Sequence, residues 1–167
     1  MFRVPRGAPA EKEILEFSLR LAREESLKFI AEIMKPGGIP LSAAPAHGGE
    51  GIGHLWCRIV ALEWDVVNKL HAIVKKPQLG GKDIWQGFLN GDSHPREIPG
   101  AEEIFKAMKE VRTHLIDVLR SAGNAIMDTV LATGPRDLEG TARFFIIYLP
   151  QHETALRARM QFIQSTV

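Results

Sequence analysis

Four stretches of this chain place apolar residues at three- and four-residue intervals, and clusters of glycine and proline break the pattern between them. Such a chain has long amphipathic helices to pair off and little else. The first stretch, about residues 9–35, carries Leu15, Leu19, Phe29, Ile30 and Ile33 among many charges. Pro9 suits a first helical turn, and Pro36-Gly37-Gly38 is a stop. Residues 39–51, dense in Pro, Gly, Ala and Ser, read as a loop. A second helix over about 51–75 has an apolar stripe from Ile52 to Val74 that is wider than a surface helix needs, so it is expected to lie deep in the fold. Residues 77–100 form a long connection with a short helix over 83–89, whose Trp85, Phe88 and Leu89 pack over something. A third long helix covers about 101–122 and is closed by Gly123. Residues 124–136 connect, with a turn of helix or a short extended piece at Ile126, Met127, Val130 and Leu131. A fourth long helix covers about 137–164 and contains Pro150, a point where a kink is expected. The expected fold is all-α: a four-helix bundle forming one domain over residues 1–167.

The composition narrows the class. Hydrophobic residues make up 45% and charged residues 25%, as in ordinary globular chains, and the net charge of +1 gives no sign of a nucleic-acid surface. No apolar run reaches the roughly 18 residues of a membrane span. The N-terminal segment lacks the apolar core of a signal peptide, and the single cysteine, Cys57, fits a reducing compartment, so a cytoplasmic location is expected.

Chemistry in a bundle comes from polar residues on inward helix faces. On the second helix, His54, Arg58, Asp65 and Asn68 share one face, while Glu63 stands within the apolar stripe and is costly to bury unless paired, with Arg58 or Arg157 as candidate partners. On the fourth, Tyr148, His152, Leu156 and Arg159 form a stripe, with Glu153 and Arg157 beside it. If the two faces meet, Arg58, Glu63, Tyr148, His152 and Glu153 are the cavity candidates. Two histidines on different helices are a thin basis for a metal site, which needs three or more donors. A lone helical histidine is more often a hydrogen-bonded structural residue, which is also the plain reading of His47, His94 and His114. Cys57, next to Trp56 in a dense apolar segment, reads as a buried inert thiol.

The stretch His54-Leu55-Trp56-Cys57-Arg58-Ile59-Val60-Ala61-Leu62-Glu63, followed by Asn68-Lys69-Leu70, resembles the second helix of the DinB-like superfamily, H-L-W-H-I-x-x-I-E and then N-x-L. That superfamily comprises four-helix proteins of about this length. Many members bind a divalent metal through one His on the second helix and an HxxxH pair on the last. The agreement at Ile59, Leu62, Glu63, Asn68 and Leu70 puts Arg58 where the metal-binding His stands. The last helix resembles the HxxxH segment in either of two registers. His152 is the first ligand with Leu156 replacing the second, or Tyr148 replaces the first and His152 is the second; the latter also matches an apolar–Arg pair at Leu156 and Arg157.

A guanidinium has no lone pair for a metal, so the resemblance implies the fold while its departures imply loss of the metal. The expectation is a protein without a cofactor, whose cavity is filled by an Arg58-centred ion pair or takes a small anionic ligand. The family also implies a homodimer, and the run Phe144-Phe145-Ile146-Ile147 exceeds what one helix face can bury. The alternative is a zinc- or nickel-dependent enzyme, thiol-transferase- or hydrolase-like, using His54 and His152 with Glu63 or Glu153.

Overall fold

The computed structural model describes residues 11–89, 97–133 and 138–167. These form α1 (Glu11–Met34), α2 (Ile52–Ile73), α3 (Lys82–Leu89), α4 (Ala101–Ser121), a 3-10 turn (Asn124–Asp128), β1 (Val130–Thr133), β2 (Leu138–Thr141) and α5 (Ala142–Thr166). The fold is mostly helical, and the long helices fall where the apolar periodicity put them. Pro9, His94 and Asp137, to which sequence-based expectations attach, lie outside the described residues.

The helix directions follow from the contacts. Lys12 reaches the carbonyl of Ala122, Arg112 that of Leu19 and Arg23 that of Met108, so α1 and α4 are antiparallel. Glu11 meets Arg143, Arg23 meets Glu153 and Ser26 meets Arg157, so α1 and α5 run parallel. Glu63 meets Arg112 and His71 meets His114, so α2 and α4 are also parallel. Each of α1 and α2 packs on both α4 and α5. A parallel α2–α4 pair needs its connection to travel back the length of a helix, roughly 33 Å for 22 residues at 1.5 Å each. Residues 74–100 make that journey, which is why they are long and carry their own apolar side chains.

Most of α2 is buried, from Ile52 through Leu70, as the wide stripe implies. Its N-terminus has no side-chain cap; the loop before it supplies carbonyls instead, Ala43 O to Ile52 N at 2.9 Å and Leu41 O to Gly53 N at 2.8 Å. A Cβ on Gly53 would stand 2.9 Å from Ile98 Cγ2, so glycine lets the returning connection lie against the helix. The other end closes with Lys75 in the left-handed region (φ 58°) and a bond from Lys76 N to His71 O at 2.8 Å, a Schellman stop without glycine. Trp56, Trp64 and Trp85 are all core residues.

One boundary differs from expectation. The last helix does not begin near 137; residues 138–141 are β2, paired antiparallel with β1 in the register Val130↔Thr141 to Thr133↔Leu138. Gly140 disfavours helix, and Thr141 is a capping residue whose hydroxyl accepts from Phe144 N at 3.2 Å, so α5 starts only after it. The hairpin is fastened to α2, where Thr133 donates to Asp65 and Lys69 donates to Ala132 O. α5 then continues through Pro150 to Thr166.

Candidate functional site

Four charged residues, one from each long helix, sit at the centre of the core: Arg23 on α1, Glu63 on α2, Arg112 on α4 and Glu153 on α5. All four are at most 4% exposed. They meet as a single cluster. Arg23 grips Glu153 with two nitrogens (Nε–Oε1 2.9 Å, Nη2–Oε2 3.2 Å) and also donates from Nη2 to Glu63. Arg112 grips Glu63 in the same manner (Nε–Oε1 2.5 Å, Nη2–Oε2 3.0 Å) and donates to Glu153 at 2.7 Å. The remaining nitrogens cross over, Arg23 Nη1 to Met108 O and Arg112 Nη1 to Leu19 O. The arrangement has an approximate two-fold symmetry that exchanges α1 with α4 and α2 with α5.

Two plus and two minus charges cancel, so the cluster is neutral as a whole. Burial alone works against ionisation of Glu153, but Arg23 and Arg112 outweigh it and hold its pKa below the ordinary value. Burial likewise works against the charge on Arg112, and Glu63 and Glu153 reverse that and raise its pKa. Glu153 is therefore ionised, and both carboxylates are saturated with arginine donors, which suits them to fixing helices and not to binding a metal. Glu63 is paired, as its place in an apolar stripe demands, but with Arg23 and Arg112. Neither Arg58 nor Arg157 takes it. Arg157 instead donates to Ala22 O and Ser26 Oγ, both at 3.0 Å.

The five cavity candidates therefore separate into two places. Glu63 and Glu153 are in the central cluster. Arg58 lies at the α2–α5 seam, where its Nη1 donates to Glu50 Oε2 at 2.6 Å and Arg159 Nη2 stands 3.8 Å from the same oxygen. His152 is the neighbour of Arg58 on α5. Burial, and then the positive charge of Arg58, push its pKa down to about 4 against the opposing pull of Glu153, so the imidazole is neutral. Tyr148 stacks on His152 (5.4 Å between centroids, 27°) and on Phe144 (5.9 Å, 9°), forming an aromatic ladder along the outside of α5. His54 packs edge-on to Phe88 at 6.0 Å, and Leu156 is buried in the core.

The positions that the family resemblance aligns with metal ligands thus present a guanidinium, an imidazole and either a phenol or a leucine. That donor set does not fit a divalent ion. Among the described residues, no three His, Cys, Asp or Glu side chains come together in a metal-binding group. Cys57 is fully buried, and burial raises its thiol pKa to about 12, which keeps it protonated and inert.

Sequence reasoning missed Arg23 and Arg112, although the signal was present. Arg23 shares a face with Leu19 and Ile30, and Arg112 follows Met108 by one turn, so each is a charge in a core stripe, the same anomaly noted for Glu63.

Two outcomes follow from this geometry. Removing one member of the cluster, as in Glu63→Leu, strands a buried guanidinium and costs about 3–5 kcal/mol in urea unfolding. Replacing all four by apolar residues (Arg23→Met, Glu63→Leu, Arg112→Met, Glu153→Leu) restores most of that loss, because no uncompensated charge is left behind. The second outcome concerns pH. Between its unfolded value of 6.5 and about 4, the unfolded chain binds a proton at His152 that the folded protein does not, so stability falls as pH is lowered through that window. Thermal unfolding of wild type against His152→Gln isolates the effect: the variant is expected to lack this slope, while the loss owed to Glu153 comes only below the ordinary carboxylate value of 4.5 in both.

No protein-family model matches this chain, and no curated protein matches it.

Proposed function

We propose that the chain is a DinB-like four-helix bundle that acts without a metal, as a homodimeric binding protein whose subunits pair through the outer faces of α5 and α1. The observation that carries this reading is the surface of α5. Its exposed residues include Phe144, Ile147, Tyr148, Gln151, Ala155, Ala158 and Phe162, and Arg159 is the one charged member of that face. The exposed face of α4 is the opposite, with Glu102, Glu103, Lys106, Lys109, Glu110, Asp117 and Arg120. A helix facing only water is expected to resemble α4. Beside α5, α1 adds Ile14, Phe17 and Leu21, with Phe17 67% exposed. Two helices about 37 Å long and about 10 Å wide together offer roughly 740 Å², close to the ~800 Å² per partner of a standard stable interface. A face whose α5 half carries Arg159 as its one charge, and whose α1 half pairs Lys28 with Glu25, can be self-complementary across a two-fold axis, and the net charge of +1 gives two copies little reason to repel. The run of four apolar residues at the start of α5 divides accordingly: Phe145 and Ile146 face the core, while Phe144 and Ile147 face outward.

Sedimentation velocity at micromolar concentration tests this. The wild-type chain is expected to sediment as a dimer, and the variant Ile147→Glu, Tyr148→Glu as a monomer with unchanged helical circular dichroism. A monomeric wild type at about 50 μM, well above the Kd of an interface of this size, would sink the reading.

A second reading, that the dimer takes a small carboxylate at the α2–α5 seam, is favoured by the Glu50 carboxylate resting on Arg58 beside Arg159 and neutral His152. Glu50 precedes α2 and acts as an internal stand-in for such an anion. Glu50→Gln is expected to leave Arg58 free to bind acetate at least tenfold more tightly than wild type, and Arg58→Ala to abolish the gain. Equal acetate affinity in wild type and Glu50→Gln counts against it. The metal-dependent thiol-transferase or hydrolase reading finds less support, since Glu63 and Glu153, either of which could serve it, are both committed to arginines, and His54 faces Phe88.

A further inference from the structure

We infer that the α2–α5 seam governs the pairing of subunits: Glu50 supplies the negative charge that Arg159 needs once the face of α5 is covered, and a free carboxylate can take its place. The inference rests on the dimer proposed above. Arg159 follows Tyr148 by eleven residues, close to three full turns at about 3.6 residues each, so the two side chains leave α5 on nearly one line. Arg159 therefore stands among the residues that a second copy covers, on the side of α5 nearest α2. In a single subunit its side chain is 55% exposed, and water carries its charge. Closing the face removes that water. A guanidinium enclosed in this way opposes association unless a carboxylate meets it.

Among the described residues, the carboxylate that can do this is Glu50, and it is only partly engaged. Its Oε2 accepts from Arg58 Nη1 at 2.6 Å and stands 3.8 Å from Arg159 Nη2, too far for a hydrogen bond. Its other oxygen, Oε1, receives no hydrogen bond from any described residue. Bringing Arg159 into bonding range takes a movement of less than about 1 Å, after which one carboxylate bridges two guanidiniums with an oxygen for each. Neighbouring His152 is neutral and adds no charge. The seam thus holds two positive groups and one negative group, and that one negative group decides whether Arg159 can be covered.

Glu50 belongs to the loop ahead of α2 and not to either helix of the seam. If its charge is removed, Arg58 and Arg159 are left facing each other across the edge of an apolar interface with nothing between them. A small carboxylate is the group that repairs this, because it has the shape and charge of the side chain it replaces. The effect runs both ways: whatever affinity a bound carboxylate adds between subunits, pairing of the subunits adds to the affinity for the carboxylate.

Sedimentation velocity over a dilution series of the full chain gives the dimer Kd for wild type, for Glu50→Gln and for the double variant Glu50→Gln, Arg159→Leu. Each is run in sodium acetate and in sodium chloride at matched ionic strength. In chloride, Glu50→Gln is expected to raise the dimer Kd tenfold or more, and acetate to recover most of that loss. The double variant no longer has a charge to cover at that position, so it is expected to pair at least as tightly as wild type, with the same Kd in both salts. It also separates charge from structure: if Glu50→Gln acted only by loosening the loop before α2, the double variant would be weakened equally. A monomeric wild type removes the dimer and this inference together. Three results overturn this inference alone, each with a wild-type dimer: a Kd unmoved by Glu50→Gln, a loss of the same size in the single and double variants, or no difference between acetate and chloride for Glu50→Gln.

Discussion

The charge cluster at the centre of the molecule admits one alignment of the four long helices. Apolar side chains tolerate sliding by a fraction of a turn, since one methyl group replaces another at modest cost. Two arginines that must each meet two carboxylates and a carbonyl do not. If any of α1, α2, α4 or α5 rotated or slipped by one residue, an ionised group would be left in an apolar interior at a cost of several kcal/mol. The cluster need not add net stability over a hydrophobic core to do this. Its contribution is discrimination among packings that hydrophobic burial alone would rank almost equally.

The second organising feature is the polar face of α2. Its members look from the sequence like a binding stripe, and in the structure Arg58, Asp65 and Asn68 each fasten a different connecting segment. Arg58 holds Glu50 of the preceding loop, Asp65 holds Thr133 of the hairpin, and Asn68 Oδ1 accepts from Leu79 N at 2.7 Å in the returning connection. Trp64 adds a bond from Nε1 to Gly80 O at 2.8 Å. A central helix flanked by long connections gains from such anchors, which fix where each connection crosses it while side chains such as Trp85 and Phe88 pack beneath.

That distinction explains what could be read in advance. The long helices were legible because burial imposes the helical period on residues such as Leu55 and Ile59 on α2, Ile104, Met108 and Leu115 on α4, and Leu149 on α5. The hairpin was half legible: Val130 and Leu131 suggest an extended piece, but Leu138 to Thr141 has no alternation and acquires its strand character from pairing with β1. The identity of the ion pairs was hidden for a different reason. Periodicity shows that Glu63 points inward but not which of several arginines reaches it, and the partners lie 40 and 49 residues away on separate helices. Arg58, five positions from Glu63, was the nearer guess; its side chain goes toward the N-terminus of its own helix, where Glu50 waits.

The approximate two-fold symmetry of the cluster bears on how the chain folds. Arg23 and Glu63 are 40 residues apart, and Arg112 and Glu153 are 41 apart, so each half of the chain contributes one arginine and one glutamate at nearly the same spacing. The two-nitrogen grips run between halves, Arg23 to Glu153 and Arg112 to Glu63. A helical pair from either half, folded alone, would hold its arginine with only a single bond to its own carboxylate. Partially assembled states are thereby penalised relative to both the unfolded chain, whose charges are hydrated, and the complete structure. The molecule is built to assemble in one cooperative step, with the two halves acting as mutual templates.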